Sequence, residues 1–284
     1  VWSAGYQPCA GQPTSYDVSF TEDRVEIIRG DGDLVTTLEV QVSPEDDAEV
    51  RRISVSNAST KPREIEITSY TELVLGSQSA DVAHPAFSRM FVRTEFLAGQ
   101  SALIANRRRR APDEPELWAS HQAVVEGGVI SGPEYETDRA RFIGRGRELR
   151  AQLAMLEGST LSGTTGTVLD AIFALRYRIR VPAGGTARIA FWTCVAQSRA
   201  AVLEQIDKHR DASAYTRAAT LAWTHAQVQL RHFGIDASQA NVFQQLAGRL
   251  IYADAMARPA TEAIRRGAAG PQGLWAHGIS GDLP

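Results

Sequence analysis

From Tyr16 to about residue 197, apolar and polar positions alternate. Asp17-Val-Ser-Phe20, Leu38-Glu-Val-Gln-Val42 and Ile65-Glu-Ile-Thr68 change class at nearly every residue, as strands do when one face meets a core and the other meets water. The clearest run sets Phe173, Leu175, Tyr177, Ile179 and Val181 on one face against Arg176, Arg178 and Arg180 on the other. It closes on Pro182-Ala-Gly-Gly, where proline fixes φ and glycine then permits a positive φ. The strand that follows, over 188–195, is expected to complete a hairpin with it. Gly30-Asp-Gly-Asp33 and Asn57-Ala-Ser-Thr60 punctuate earlier strands in the same way. Many strands at short intervals, without βαβ alternation, predict a large antiparallel sandwich over residues 1–197.

Beyond Gln197 the period becomes helical. Ser198 can cap a helix carrying Val202, Leu203 and Ile206, and a longer helix over 213–233 aligns Ala214, Ala218, Leu221, His225 and Val228. A third, from about Ser238, repeats Phe243, Leu246, Ala247, Leu250 and Ile251 at steps of three and four, with Pro259 at or beyond its end. Residues 267–284 read as glycine-rich loop. The fold class is therefore mainly β with α: an antiparallel sandwich over 1–197, then a helical linker over 198–284.

Composition narrows the function classes. With 43% hydrophobic and 22% charged residues, the chain has ordinary globular content and enough apolar side chains for a sizeable core. A net charge of −3 gives no reason to expect nucleic acid or an anionic membrane as partner. All the basic residues but Lys61 and Lys208 are Arg, the better fork-shaped donor to hydroxyls and carboxylates. Cys9 and Cys194 stand far apart without metal-ligand spacing, so neither a disulfide framework nor a zinc site is expected, and no metal or cofactor is called for. No apolar run approaches the ~20 residues needed to cross a bilayer, so no membrane insertion of this segment is expected. The chain opens on Val1 rather than Met and closes on a Gly-Asp-Leu-Pro motif, which suggests a piece of something longer.

Candidate chemistry is sparse. Gly278-Ile-Ser-Gly281 lacks the spacing of a nucleophile elbow, and Gly144-Arg-Gly-Arg147 lacks the lysine of a phosphate loop. Ser43-Pro-Glu-Asp-Asp47 reads first as a solvated turn, and the Arg107 to Arg110 run as a strand end that could also hold an acidic partner. The densest stretch is Tyr135-Glu-Thr-Asp-Arg-Ala-Arg-Phe-Ile-Gly-Arg-Gly-Arg147. Phe142 and Ile143 would anchor it, and Asp138 with Arg139, Arg141 and Arg145 would either form a structural ion-pair network or grip sugar hydroxyls. Trp118 and His121 in Leu-Trp-Ala-Ser-His, and Trp275 and His277 in Leu-Trp-Ala-His, are candidate sugar platforms. Equally, each tryptophan could fill a seam between domains.

Six stretches in this order carry a resemblance: Ala4-Gly-Tyr-Gln-Pro8, Val42-Ser-Pro-Glu-Asp-Asp-Ala-Glu-Val-Arg-Arg52, Thr68-Ser-Tyr-Thr-Glu72, Ala83-His-Pro-Ala-Phe-Ser88, the 138–147 loop, and Leu274 to Pro284. Together they resemble cyclic β-1,2-glucan synthases, bacterial inner-membrane glycosyltransferases with two regions similar to the family 94 glycoside phosphorylases. This chain is similar to the first of those regions. The resemblance implies a β-supersandwich of the galactose-mutarotase type, then a helical linker leading to an (α/α)6 barrel that holds the family's catalytic Asp. It implies no catalytic residue here, and an accessory domain facing the cytoplasm from a membrane-bound parent. The partners it implies are the other domains of that synthase and β-1,2-glucan. The alternatives are a stand-alone glucan-binding module, or part of an inverting phosphorylase.

Overall fold

The computed structural model describes residues 1–112, 114–251, 259–267 and 270–278. Strands β1 (Ser15–Phe20), β2 (Val25–Asp31), β3 (Leu34–Val42) and β4 (Ala48–Asn57) run as a meander, followed by β5 (Arg63–Thr68) and the short β6 (Thr71–Glu72). Two small helices, α1 (Gln78–Ala83) and α2 (Pro85–Arg89), precede β7 (Val92–Leu97), β8 (Ala102–Arg107) and β9 (Trp118–Glu126). Then come β10 (Gly128–Asp138), α3 (Arg139–Ile143), β11 (Gly166–Thr167), β12 (Ala171–Val181) and β13 (Thr186–Ala196). Among the described residues, α4 (Arg199–Lys208), α5 (Ala212–Phe233), α6 (Ala237–Ile251) and α7 (Thr261–Arg266) follow.

The strands build two antiparallel sheets. The larger has nine strands in the order β1-β2-β3-β4-β13-β9-β8-β7-β11; the smaller runs β10-β12-β5, with β6 also paired to β12. Phe173, Leu175, Ile179 and Val181 of β12 face Val55, Leu103, Ile189 and Phe191 of the large sheet across one apolar core. The opposite face of the large sheet is also covered. Val50, Ala190, Trp192 and Cys194 pack under Ala214, Tyr215 and Ala218 of α5, while Ala102, Ile104 and Ala196 pack under Val202 and Ile206 of α4. Ser198 caps α4, its side chain accepting from the Ala201 amide at 3.1 Å.

The structure departs from the sequence expectations at several points. β12 and β13 do not form a hairpin: β12 pairs with β10 and β5, and β13 with β4 and β9, so the intervening turn passes from one sheet to the other. β1, expected to be half-buried, is an edge strand whose six residues are all exposed. On α5 the buried stripe is Ala214, Tyr215, Ala218, Ala222 and Ala226, whereas His225 and Val228 face outward. Alanine lets that helix lie close on the sheet, so the smallest side chains rather than the most apolar ones mark its packed face. The contacts divide the chain into two compact units, residues 1–234 and 235–284. In the second, residues 271–277 form a short 3-10 helix within the stretch read as loop. No helix among the described residues is long and apolar enough to cross a membrane.

Candidate functional site

β12 carries the residues that organise the outer side of the small sheet. Arg178 and Arg180 stand opposite Glu66 and Glu64 of β5, and each pair forms an ion bridge. Arg176, one step inward, is almost fully buried. Its Nε donates to Thr68 Oγ1 at 3.0 Å, its Nη1 to the Ser159 carbonyl at 2.6 Å, and its Nη2 to the Ala154 carbonyl. A buried guanidinium needs such a set of acceptors. Arg176 therefore fastens residues 154–159 to the sheet. Beside it Phe142, Ile143 and Ala154 close over Ile172 and Ala174 of the same strand, forming a small second core.

The 138–147 stretch is thus anchored as its two apolar residues suggest. Asp138 caps α3, its Oδ1 accepting from the Ala140 amide at 2.9 Å, and Gly144 ends the helix with φ +87°. Arg141 is exposed and lies 3.8 Å from Asp138; Arg145, just past the end of α3, is exposed as well. Arg139 reaches further. Its Nε donates to Glu72 at 2.9 Å and lies 3.7 Å from Asp170. Asp170 also accepts from Arg89 at 2.9 Å, and Arg89 in turn meets Asp81 at 3.4 Å.

Tyr70 donates to Glu72 at 2.7 Å. Burial works against ionisation of Glu72, but hydrogen bonds from Tyr70 and Arg139 hold its carboxyl below the ordinary value. Burial, then the Glu72 carboxylate, drives the Tyr70 hydroxyl well above its own. These three acids and two arginines were not read together from the sequence. The signal the sequence offers is that Thr68-Ser-Tyr-Thr-Glu72 and the 138–147 stretch are both among those that carry the family resemblance. Each acid already meets an arginine, so the network suits the ordering of the rim of the small sheet better than proton transfer.

The remaining candidates are scattered. His121 sits in the core between the sheets, 2% exposed and stacked between Phe173 and Phe191. Its Nδ1 is 2.9 Å from Thr193 Oγ1 and its Nε2 2.8 Å from Ser69 Oγ, so one ring bridges the two sheets. Burial, with a smaller contribution from Arg51, pushes its pKa down to about 3. Such a ring has no face left for a glucan. Trp118 packs partly against the α4 cluster and donates from Nε1 to Glu116 at 2.7 Å.

Trp275 and His277 are exposed on the 3-10 helix of the second unit, and residues 279–284 of that motif lie outside the described residues. Two of the Ser43–Asp47 acids meet basic side chains: Asp46 is 2.8 Å from Lys208 and 3.2 Å from His209, and Glu45 is 3.3 Å from Lys208. Arg107, Arg108 and Arg110 lie over the rings of Phe87 or Phe91 at 5.5–5.8 Å, within cation–π range. Among the described residues no group of three or more His, Cys, Asp or Glu is placed to hold a metal ion.

The family model described as the glycosyl hydrolase 94 supersandwich domain matches residues 1–212. The chain is 39% identical over 283 residues to the cyclic beta-(1,2)-glucan synthase NdvB of Rhizobium meliloti strain 1021. That match covers 100% of this chain and 10% of the relative, so the chain spans about a tenth of the relative's length. Among solved structures, a polysaccharide lyase aligns at 16% identity over 64% of this chain and 23% of its own, with a TM-score of 0.38. A heparinase III aligns at 6% identity over 66% and 22%, with a TM-score of 0.33.

Proposed function

Because this chain belongs to the glycosyl hydrolase 94 supersandwich domain family, we propose that it is an accessory domain of a cyclic β-1,2-glucan synthase that positions neighbouring catalytic modules. In this reading the segment carries no catalytic residue. It works at the cytoplasmic face of the bacterial inner membrane as part of its parent, and its partners are the other domains of that synthase, with β-1,2-glucan passing close by.

The observation that carries the proposal is the apolar stripe of α6. Val242, Phe243, Leu246, Leu250 and Ile251 recur at helical steps and are all exposed, Leu250 at 81%. An apolar stripe left uncovered on a helix is the expected face of a docking element. The test is to introduce Leu246→Asp with Leu250→Asp into the full-length protein and assay β-1,2-glucan synthesis from UDP-glucose. Glucan output should fall about tenfold or more, while the isolated chain, altered only at exposed positions, keeps its stability within about 0.5 kcal/mol. Full output from the double variant would rule out the positioning role for this face.

The glucan-contact alternative rests on the exposed Arg141, Arg145 and Trp275. A more complete arrangement for such contact lies elsewhere in the first unit.

A further inference from the structure

We propose that the turn between β1 and β2, together with the exposed side of α5, forms a binding site for a neutral oligosaccharide, with the Trp223 indole as its platform. An open cleft of about 490 Å³ lies between the Thr21–Arg24 turn and Thr220 and Trp223 of the helix. That volume falls within the roughly 300–1,000 Å³ of small-molecule sites. Trp223 lines the cleft and is 56% exposed although it follows the buried Ala222, so part of its indole stays open to solvent. A flat, amphipathic indole facing water accepts the C–H face of a pyranose ring.

The rim supplies what the hydroxyls of such a ring need. Glu22 and Asp23 bring carboxylate acceptors, and Arg24 a fork of donors. The presence of both signs at one small rim disfavours a strongly anionic or cationic ligand and suits an uncharged polyol. The turn is also fixed before any ligand arrives. The Thr21 amide donates to the Arg24 carbonyl at 2.9 Å, and Thr21 Oγ1 donates to Asp23 at 2.9 Å. Arg24 is tied to the interior through Glu39, whose carboxylate is 3.7 Å from Arg24 and accepts from Arg52 at 2.8 Å. The Arg52 guanidinium lies 3.7 Å over the ring of Tyr215, two helical turns before Trp223. The β1–β2 turn and α5 are therefore linked through one chain of ion pairs and stacking, in which Glu39 and Tyr215 are buried and Arg24 reaches the surface. This preorganisation lowers the ordering cost of binding.

The site goes beyond the packing role and does not depend on it, since α6 takes no part in it. The test is calorimetric titration of the whole chain with linear β-1,2-gluco-oligosaccharides, and with cello- and laminari-oligosaccharides as other neutral sugars. Saturable binding is expected. Trp223→Ala should weaken it about tenfold or more, equal to ~1.4 kcal/mol, and Glu22→Gln with Asp23→Asn about three- to tenfold. Trp275→Ala should leave it unchanged. Trp223→Phe, which keeps a smaller ring, should retain most of it, and added sugar should protect the tryptophan fluorescence of the unmodified chain from acrylamide quenching. Absence of saturable binding to any of the three sugars, or binding that survives Trp223→Ala, overturns the site. Either failure would leave the positioning role of α6 intact, because that role is read from glucan output of the full-length protein.

Discussion

Arg176→Ala should be the most damaging single change on the outer face of the small sheet. The guanidinium makes three hydrogen bonds to oxygen, on Thr68, Ser159 and Ala154, and a longer one to the Met155 sulfur at 3.8 Å, and also lies 3.7 Å from Glu134. Hydrogen bonds to a charged group contribute about 1.5–3 kcal/mol each. Truncating one partner of a buried charged pair costs about 3–5 kcal/mol, because the remaining polar groups lose their partner. The Ser159 residue is only partly buried, so water can replace its lost partner. That argues for the lower end, about 3 kcal/mol.

Urea unfolding followed by far-UV circular dichroism reads the stability change. Limited trypsin digestion tests the structural cause, since Arg145, Arg147 and Arg150 are exposed beside the fastened segment. Release of residues 154–159 should speed cleavage there before the rest of the domain opens. Arg176→Lys should recover only part of the loss, because one ammonium cannot span three acceptors held in fork geometry. A cost below about 0.5 kcal/mol, with unchanged cleavage at 145–150, would refute the idea that Arg176 holds this segment.

Three further outcomes are expected. His121 is lowered from 6.5 to about 3 by burial, so the folded state binds fewer protons than the unfolded one, and the stability it contributes is present above pH 6.5 and lost as pH falls toward 3. Linkage gives a loss of about 2 kcal/mol between pH 7.5 and pH 5. Urea midpoints at the two pH values read this loss, which should shrink in His121→Gln; an NMR titration placing the ring pKa near 6.5 would sink the assignment. Gly144→Ala should cost more than Gly146→Ala although both sit at positive φ, because a Cβ at 144 meets Leu153 Cβ at 2.8 Å while one at 146 meets nothing within 4 Å. Conformation alone accounts for about 1–2 kcal/mol at either site, so equal urea midpoints would contradict the close packing of α3 on the 153–155 turn. Arg139→Ala, in a half-exposed network, should lower stability by only about 1 kcal/mol or less, as a urea melt would show.

The alternation along β12 shows how far a pattern can be read. One face, Phe173 to Val181, is legible because every second residue is apolar and enters the core between the sheets. The other face looks uniformly polar from Arg176 onward, yet Arg176 is buried and Arg178 and Arg180 are not. The alternation specifies which face a side chain takes, but a segment arriving from 17–22 residues away in sequence decides whether that face is covered. The hairpin expectation failed for a related reason. Pro182-Ala-Gly-Gly marks a turn between two strands but contains nothing that says whether they pair, and β12 already has three other partners and β13 two.

The candidate site divides along the same line. Asp138 finds its partner within its own stretch of sequence, capping α3 where a loop was expected, whereas Phe142, apolar enough to be expected as an anchor, packs on Ile172 and Ala174 of β12 about thirty residues later. The Glu72–Arg139–Asp170–Arg89 chain is not local either, since its members come from four separated segments that meet only when β6 and β10 both pair with β12. Trp223 is the sharpest case. In the sequence it is one apolar residue within a helical run, indistinguishable from a core position. What makes it a candidate platform is that the sheet prefers the alanines beside it, which turns the largest side chain of that run outward, next to a turn roughly two hundred residues earlier in the chain. Packing by the smallest residues thus does two things at once: it brings α5 close to the sheet, and it leaves an indole where a sugar ring can reach it.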